Sequence, residues 1–176
     1  MKSILAAAIA LVTIPAIAQH DGSARDKLKA LDFLVGTWAV DVQARLSMQG
    51  PWENSKATSV IKKTLDNTLI EEEFTGSREG KPFLAKTLLA INNQTDRFQR
   101  IFIDAPHGVL VDFEGIQEEN KFVFDKTWVY ANGNTVKLRA VYTIESTDSF
   151  TLETMRMPAG LTTWDVSGRS KYSRTN

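Results

Sequence analysis

From Trp38 to the C-terminus the chain is a succession of short alternating segments broken by turn signals at nearly even intervals. Strand-length stretches fall at 37–47, 55–65, 68–75, 83–92, 97–104, 108–117, 121–130, 135–145, 150–157 and 162–173. Between them lie turn-forming clusters such as Gln49-Gly50-Pro51, Arg78-Glu79-Gly80, Ala105-Pro106-His107-Gly108, Ser146-Thr147-Asp148 and Pro158-Ala159-Gly160. Asn132-Gly133 is the strongest hairpin signal, since both residues tolerate the positive φ that a tight hairpin demands. Connections this short join antiparallel neighbours, because a parallel pair needs a long crossover. A meander of ten strands exposes two edges unless it closes on itself. The pattern therefore predicts an all-β fold, an antiparallel up-and-down barrel of about ten strands.

Period two assigns provisional faces. Trp38, Val40, Val42, Ala44 and Leu46 share one phase; Val136, Leu138, Ala140, Tyr142 and Ile144 share another. Phe98, Arg100, Phe102 and Asp104 fall together, as do Phe150, Leu152, Thr154 and Arg156, and Trp164, Val166, Gly168, Ser170 and Tyr172. Stretches 68–75 and 83–92 carry apolar residues in both phases, and alternation does not orient them.

The N-terminus is of a different kind. Lys2, the apolar run Ile4 to Ile14, Pro15 and the small residues of Ala16-Ile17-Ala18 form a signal peptide with cleavage expected after Ala18. The run is too short to span a bilayer, and without cysteine there is no lipobox. The expected product is a periplasmic or secreted protein: residues 1–18 are removed, 19–29 form a tail and the start of a capping helix, and 30–176 form one barrel domain. Ser23 with Asp26 suggests a capping box, and Leu28, Leu31 and Leu34 share one helical face.

Leu34-Val35-Gly36-Thr37-Trp38 resembles the opening of calycin-type barrels, in which a glycine-x-tryptophan signature begins the first strand. The resemblance implies a basic residue late in the last strand packed over the indole, and Arg169 or Arg174 would supply it. A closer resemblance is to the secreted bacterial domain-of-unknown-function 1579 family. It is carried by Gly80-Lys81-Pro82-Phe83, Asn92 through Phe98, Ile103-Asp104 and Gly108 through Gly115. It implies a lipocalin-like barrel and leaves activity open. In that setting Gly36, Trp38, Arg169 and Arg174 are the expected barrel closure.

Composition narrows the chemistry. The 21 basic and 21 acidic residues balance, so no global field selects nucleic acid. Absence of cysteine removes disulfides, thiolate nucleophiles and cysteine-ligated metals. The only histidines are His20, in the tail, and His107, in a turn; residues 135–174 hold none for haem, leaving Tyr142 or Tyr172 as iron ligands. Glu71-Glu72-Glu73 reads as a solvated edge on which at most Glu71 and Glu73 converge. Asp104, Asp112, Glu114 and Asp125 fall on neighbouring strands, as a glycosidase-like pair would, but any β-protein this rich in acids offers such pairs by chance. No catalytic residue, metal ligand or cofactor is assigned.

What remains is the barrel's interior. Arg100 and Arg156 lie in phase with apolar neighbours, where a cation is costly unless paired. Either they meet the polar end of an amphiphilic ligand, or Asp104 or Asp125 satisfies them, or they sit at the rim. Trp128 and Tyr142, like Tyr130 and Trp164, are cavity wall or core. The expected ligand-binding set is Arg100, Trp128, Tyr142 and Arg156, for a small apolar or amphiphilic molecule. The alternatives are an accessory envelope protein acting through its surface, or an enzyme working on a lipid or glycan at the barrel mouth.

Overall fold

The computed structural model describes residues 21–45, 47–78 and 80–175. The expected signal peptide, its cleavage site and His20 lie outside the described residues, as do Leu46 and Glu79. Helix α1 (Asp21–Leu28) runs into a 3-10 turn, Lys29–Leu34. The expected capping box is not at its start, because α1 begins at Asp21 and Ser23 falls inside it; Asp26 instead takes Lys29 at 2.7 Å. In a 3-10 turn residues three apart eclipse one another. Leu28, Leu31 and Leu34 thus form one continuous apolar edge, and all three are fully buried.

Ten strands follow: β1 (Gly36–Ala44), β2 (Glu53–Thr64), β3 (Leu69–Arg78), β4 (Lys81–Asn92), β5 (Arg97–Asp104), β6 (Val109–Glu118), β7 (Lys121–Val129), β8 (Thr135–Ser146), β9 (Ser149–Pro158) and β10 (Asp165–Arg174). Each pairs antiparallel with its sequence neighbour, and β1 closes on β10, so the barrel has no free sheet edge. The predicted architecture is the observed one. Cross-strand pairing orients the two ambiguous strands: Ile70, Glu72 and Phe74 of β3, and Phe83, Ala85, Thr87 and Leu89 of β4, face inward. The last strand departs from expectation. A bulge between Val166 and Gly168 shifts parity, leaving Gly168 opposite inward Thr154 and Val166 opposite Met155. Val166 and Trp164 therefore do not share the inner face of Gly168, Ser170 and Tyr172. Trp164 precedes β10 and stacks on Arg139, 4.5 Å from ring centroid to guanidinium.

The two ends differ. At the helix end Trp38 donates through Nε1 to Leu34 O (2.8 Å) and meets Phe150 edge-on at 4.8 Å. Phe150 in turn stacks on Tyr172 at 4.2 Å. Arg174 covers Trp38 at 4.2 Å and donates to the carbonyls of Phe33, Val35 and Thr147. A Cβ on Gly36 would come within 2.2 Å of Arg174 Nη1, and the glycine's φ is +150°, which explains the glycine of the opening motif. Toward the other end the inward residues become partly open: Val42 and Ala44 after buried Trp38 and Val40, Thr154 and Arg156 after buried Phe150 and Leu152. One end is plugged and the other is a mouth. Among the described residues no helix is long and apolar enough to cross a membrane.

Candidate functional site

Midway along the barrel the interior turns polar. Strand β3 places Glu72 inward between Ile70 and Phe74, and β5 places Arg100 inward between Phe98 and Phe102. Glu72 Oε1 accepts from Ser59 Oγ at 2.8 Å and from Tyr172 OH at 3.0 Å. Arg100 Nε donates to Tyr142 OH at 3.1 Å. Both tyrosine contacts cross the barrel, joining β3 to β10 and β5 to β8, so two strands lie between the partners each time. Beside Glu72 in the β3–β4 register sits Thr87, also buried.

The guanidinium of Arg100 lies 5.1 Å from the ring centroids of both Phe102 and Phe113 and 6.0 Å from that of Tyr142. These faces attract a cation but do not replace hydrogen bonds. Arg100 is 3 % exposed, and among the described residues Tyr142 is its one hydrogen-bond partner. Burial pushes the Tyr142 hydroxyl above its ordinary range, with Arg100 opposing and Glu72 reinforcing the shift. Tyr172 is pushed well above its own, first by burial and then by the charge of Glu72. Both are therefore neutral donors at physiological pH. The cluster offers donors and an acceptor to a bound molecule but no activated nucleophile. Among the described residues no three His, Cys, Asp or Glu side chains gather to hold a metal.

The mouth carries a second polar set. Arg156 and Arg45 both engage Asp165, Arg156 through Nε at 3.1 Å, and Arg45 Nε donates to Val166 O at 2.9 Å. Across the opening, Asp104 takes His107 Nδ1 at 2.9 Å and Arg78 at 3.5 Å. A groove of about 640 Å³ at the rim is lined by Met48, Tyr130, Asn132, Asn134, Val136 and Arg156, among others. Exposed apolar side chains collect here too: Met48, Trp52, Leu110, Val129, Tyr130 and Leu161 lie in or beside the mouth turns.

The expected ligand set is only partly brought together. Arg100 and Tyr142 are direct partners at the centre, while Arg156 belongs to the mouth, where Asp165 engages it rather than Asp104 or Asp125. Trp128 packs against the core on the inner side of β7, opposite Val136. Of the two candidates to cover Trp38, Arg174 does so. Arg169 is outward, 52 % exposed at its side chain, and rests on Glu153 and Trp52 instead. Of the four acids Asp104 alone is inside, whereas Glu114 and Asp125 are register partners on the exposed outer face, where Arg139 engages Asp125 and Lys126 engages Asp112. Glu71 and Glu73 do converge, on Lys86 at the outer face. The residue that sequence reasoning passed over is Glu72, hidden in a run of glutamates that looks solvated. Its parity with Ile70 and Phe74 was the available signal.

A family model described as protein of unknown function (DUF1579) matches residues 23–174. No curated protein sequence matches the chain. Among solved structures, the S-type phycobiliprotein lyase CPES from Guillardia theta aligns with a TM-score of 0.57 at 13% identity, covering 87% of this chain and 93% of its own. A de novo designed fluorescence-activating beta barrel aligns with a TM-score of 0.44 at 12% identity, covering 83% and 97%. The likeness to the lyase, at this identity, extends to the fold alone.

Proposed function

The chain belongs to the DUF1579 family, and from the chemistry of its interior we propose that it binds a small amphiphilic molecule inside the barrel, with Arg100 and Tyr142 holding the polar end. One observation carries this reading. Arg100 is 3 % exposed in an aromatic setting, yet among the described residues only its Nε meets a protein acceptor. Its Nη atoms are not among the fully buried unpartnered atoms, so they face the open part of the interior, where a ligand's acceptor can reach them. The apolar part of the ligand would lie toward the mouth, where Phe102, Trp128 and Leu138 are partly open. Burial of that part drives association. We further propose that the mature protein is exported by the signal peptide of residues 1–18.

Arg100→Met tests the reading, with dodecanoate as probe and isothermal titration as readout. Wild type binds, and the variant binds about tenfold to a hundredfold more weakly, the value of a charge-assisted hydrogen bond or two. The variant's melting temperature is unchanged or higher, because an apolar residue of similar volume replaces an under-bonded charge. Equal affinities in the two proteins would sink the proposal.

A second reading rests on the rim. Six exposed apolar side chains gathered at one end suit contact with an envelope partner, which makes the mouth a surface as well as an entrance.

A further inference from the structure

The centre of the barrel holds two opposite charges, each only partly engaged. Arg100 spends one of its five N–H groups on a protein acceptor. Glu72, 5 % exposed, receives both of its donors, Ser59 and Tyr172, on Oε1. Among the described residues nothing hydrogen-bonds either Nη of Arg100 or Oε2 of Glu72. Nor do the two side chains pair with each other within 4.0 Å. A closely approaching pair would have satisfied both. Instead Glu72 is tied toward β2 and β10, and Arg100 is held toward β8 by Tyr142.

Resting on the binding reading above, we propose that the ligand's polar end is zwitterionic, its anionic group taking the Nη atoms of Arg100 and its ammonium group taking Oε2 of Glu72. Charge balance favours this over either simpler amphiphile. One guanidinium and one carboxylate already oppose each other in a low-dielectric interior. A plain carboxylate would bring a second negative charge near Glu72, and a plain amine a second positive charge near Arg100. A zwitterion adds no net charge and supplies a partner to both groups. The Tyr142 hydroxyl, which accepts from Arg100, keeps its own proton for the same anionic group.

Three probes of one chain length decide the matter: dodecanoate, its α-amino derivative and dodecylamine, each titrated into wild type and into Glu72→Gln. Wild type is expected to bind the α-amino acid about tenfold more tightly than dodecanoate and to bind dodecylamine most weakly. In Glu72→Gln, where Ser59 and Tyr172 still have an oxygen to bond, the preference for the α-amino acid disappears. If wild type binds dodecanoate as well as its α-amino derivative, the zwitterion proposal fails and the binding reading stands. If wild type binds none of the three, the binding reading itself fails. The wild-type ranking needs no variant, so a poorly folding Glu72→Gln does not obscure the outcome.

Discussion

Tyr172 carries its hydroxyl into the centre of the barrel and donates it to Glu72, with β1 and β2 lying between their own strands. The bond satisfies one oxygen of a buried carboxylate, and burial together with that neighbouring charge raises the tyrosine above its ordinary value of 10.0. Raised in the folded state, it keeps its proton after the unfolded chain has released it. Its contribution to stability is therefore complete below about pH 10 and declines as pH climbs toward the folded value. Tyr142 acts in the same direction. Tyr172→Phe is expected to be about 1–2 kcal/mol less stable at neutral pH, having lost the hydrogen bond, and to lose less than wild type between pH 9 and 11. Denaturant melts across that range check it; an equally steep alkaline loss in both proteins would refute it. At this scale the sequence was partly readable. Alternation put Arg100 inside, but its partner on β8 lies 42 residues away and no local pattern names it.

The plug is a property of elements. A short helix and 3-10 turn present three leucines three residues apart, and the barrel's end closes over them. What fastens this cap is the last strand. Arg174 donates to Phe33 O at 3.2 Å, Val35 O at 2.9 Å and Thr147 O at 3.0 Å, joining the 3-10 turn, the residue that leads from it into β1, and the β8–β9 turn. Its contact with Asp148 is largely solvated and contributes little. Arg174→Met keeps the apolar stem over Trp38 and strips the carbonyls of their donor. The expected cost is about 2–3 kcal/mol, or roughly 5–10 °C in melting temperature for a domain of this size. Scanning calorimetry measures it, and a shift within about 1 °C would show that water serves those carbonyls equally well. Motif resemblance narrowed the cover to Arg169 or Arg174, but choosing needed the β1–β10 register, which sets Trp38 opposite Arg174 and Arg169 opposite Gln43.

Across the whole molecule, polarity separates the two ends. The helix-end turns each carry an acid: Asp66, Asp96, Glu119 and Asp148. The described mouth turns hold Arg45 and His107 and collect the exposed Met48, Trp52, Tyr130 and Leu161. An open rim with paired charges and exposed apolar side chains above a polar centre fits the proposed uptake of an amphiphile. If the protein is exported as proposed, intact mass measurement on material recovered from cells should give a chain beginning at Gln19; a mass that retains Met1 or Lys2 would contradict export by cleavage. By itself the sequence determined the number of strands, their antiparallel meander and the apolar plug, because turn chemistry and two-residue periodicity are local and act over a few residues. Only the tertiary structure decided that Glu72 faces inward, that a bulge turns Trp164 out, and that Asp165 rather than Asp104 or Asp125 takes Arg156. Those outcomes depend on ring closure and cross-barrel distance, which bring together side chains 100 and 120 residues apart.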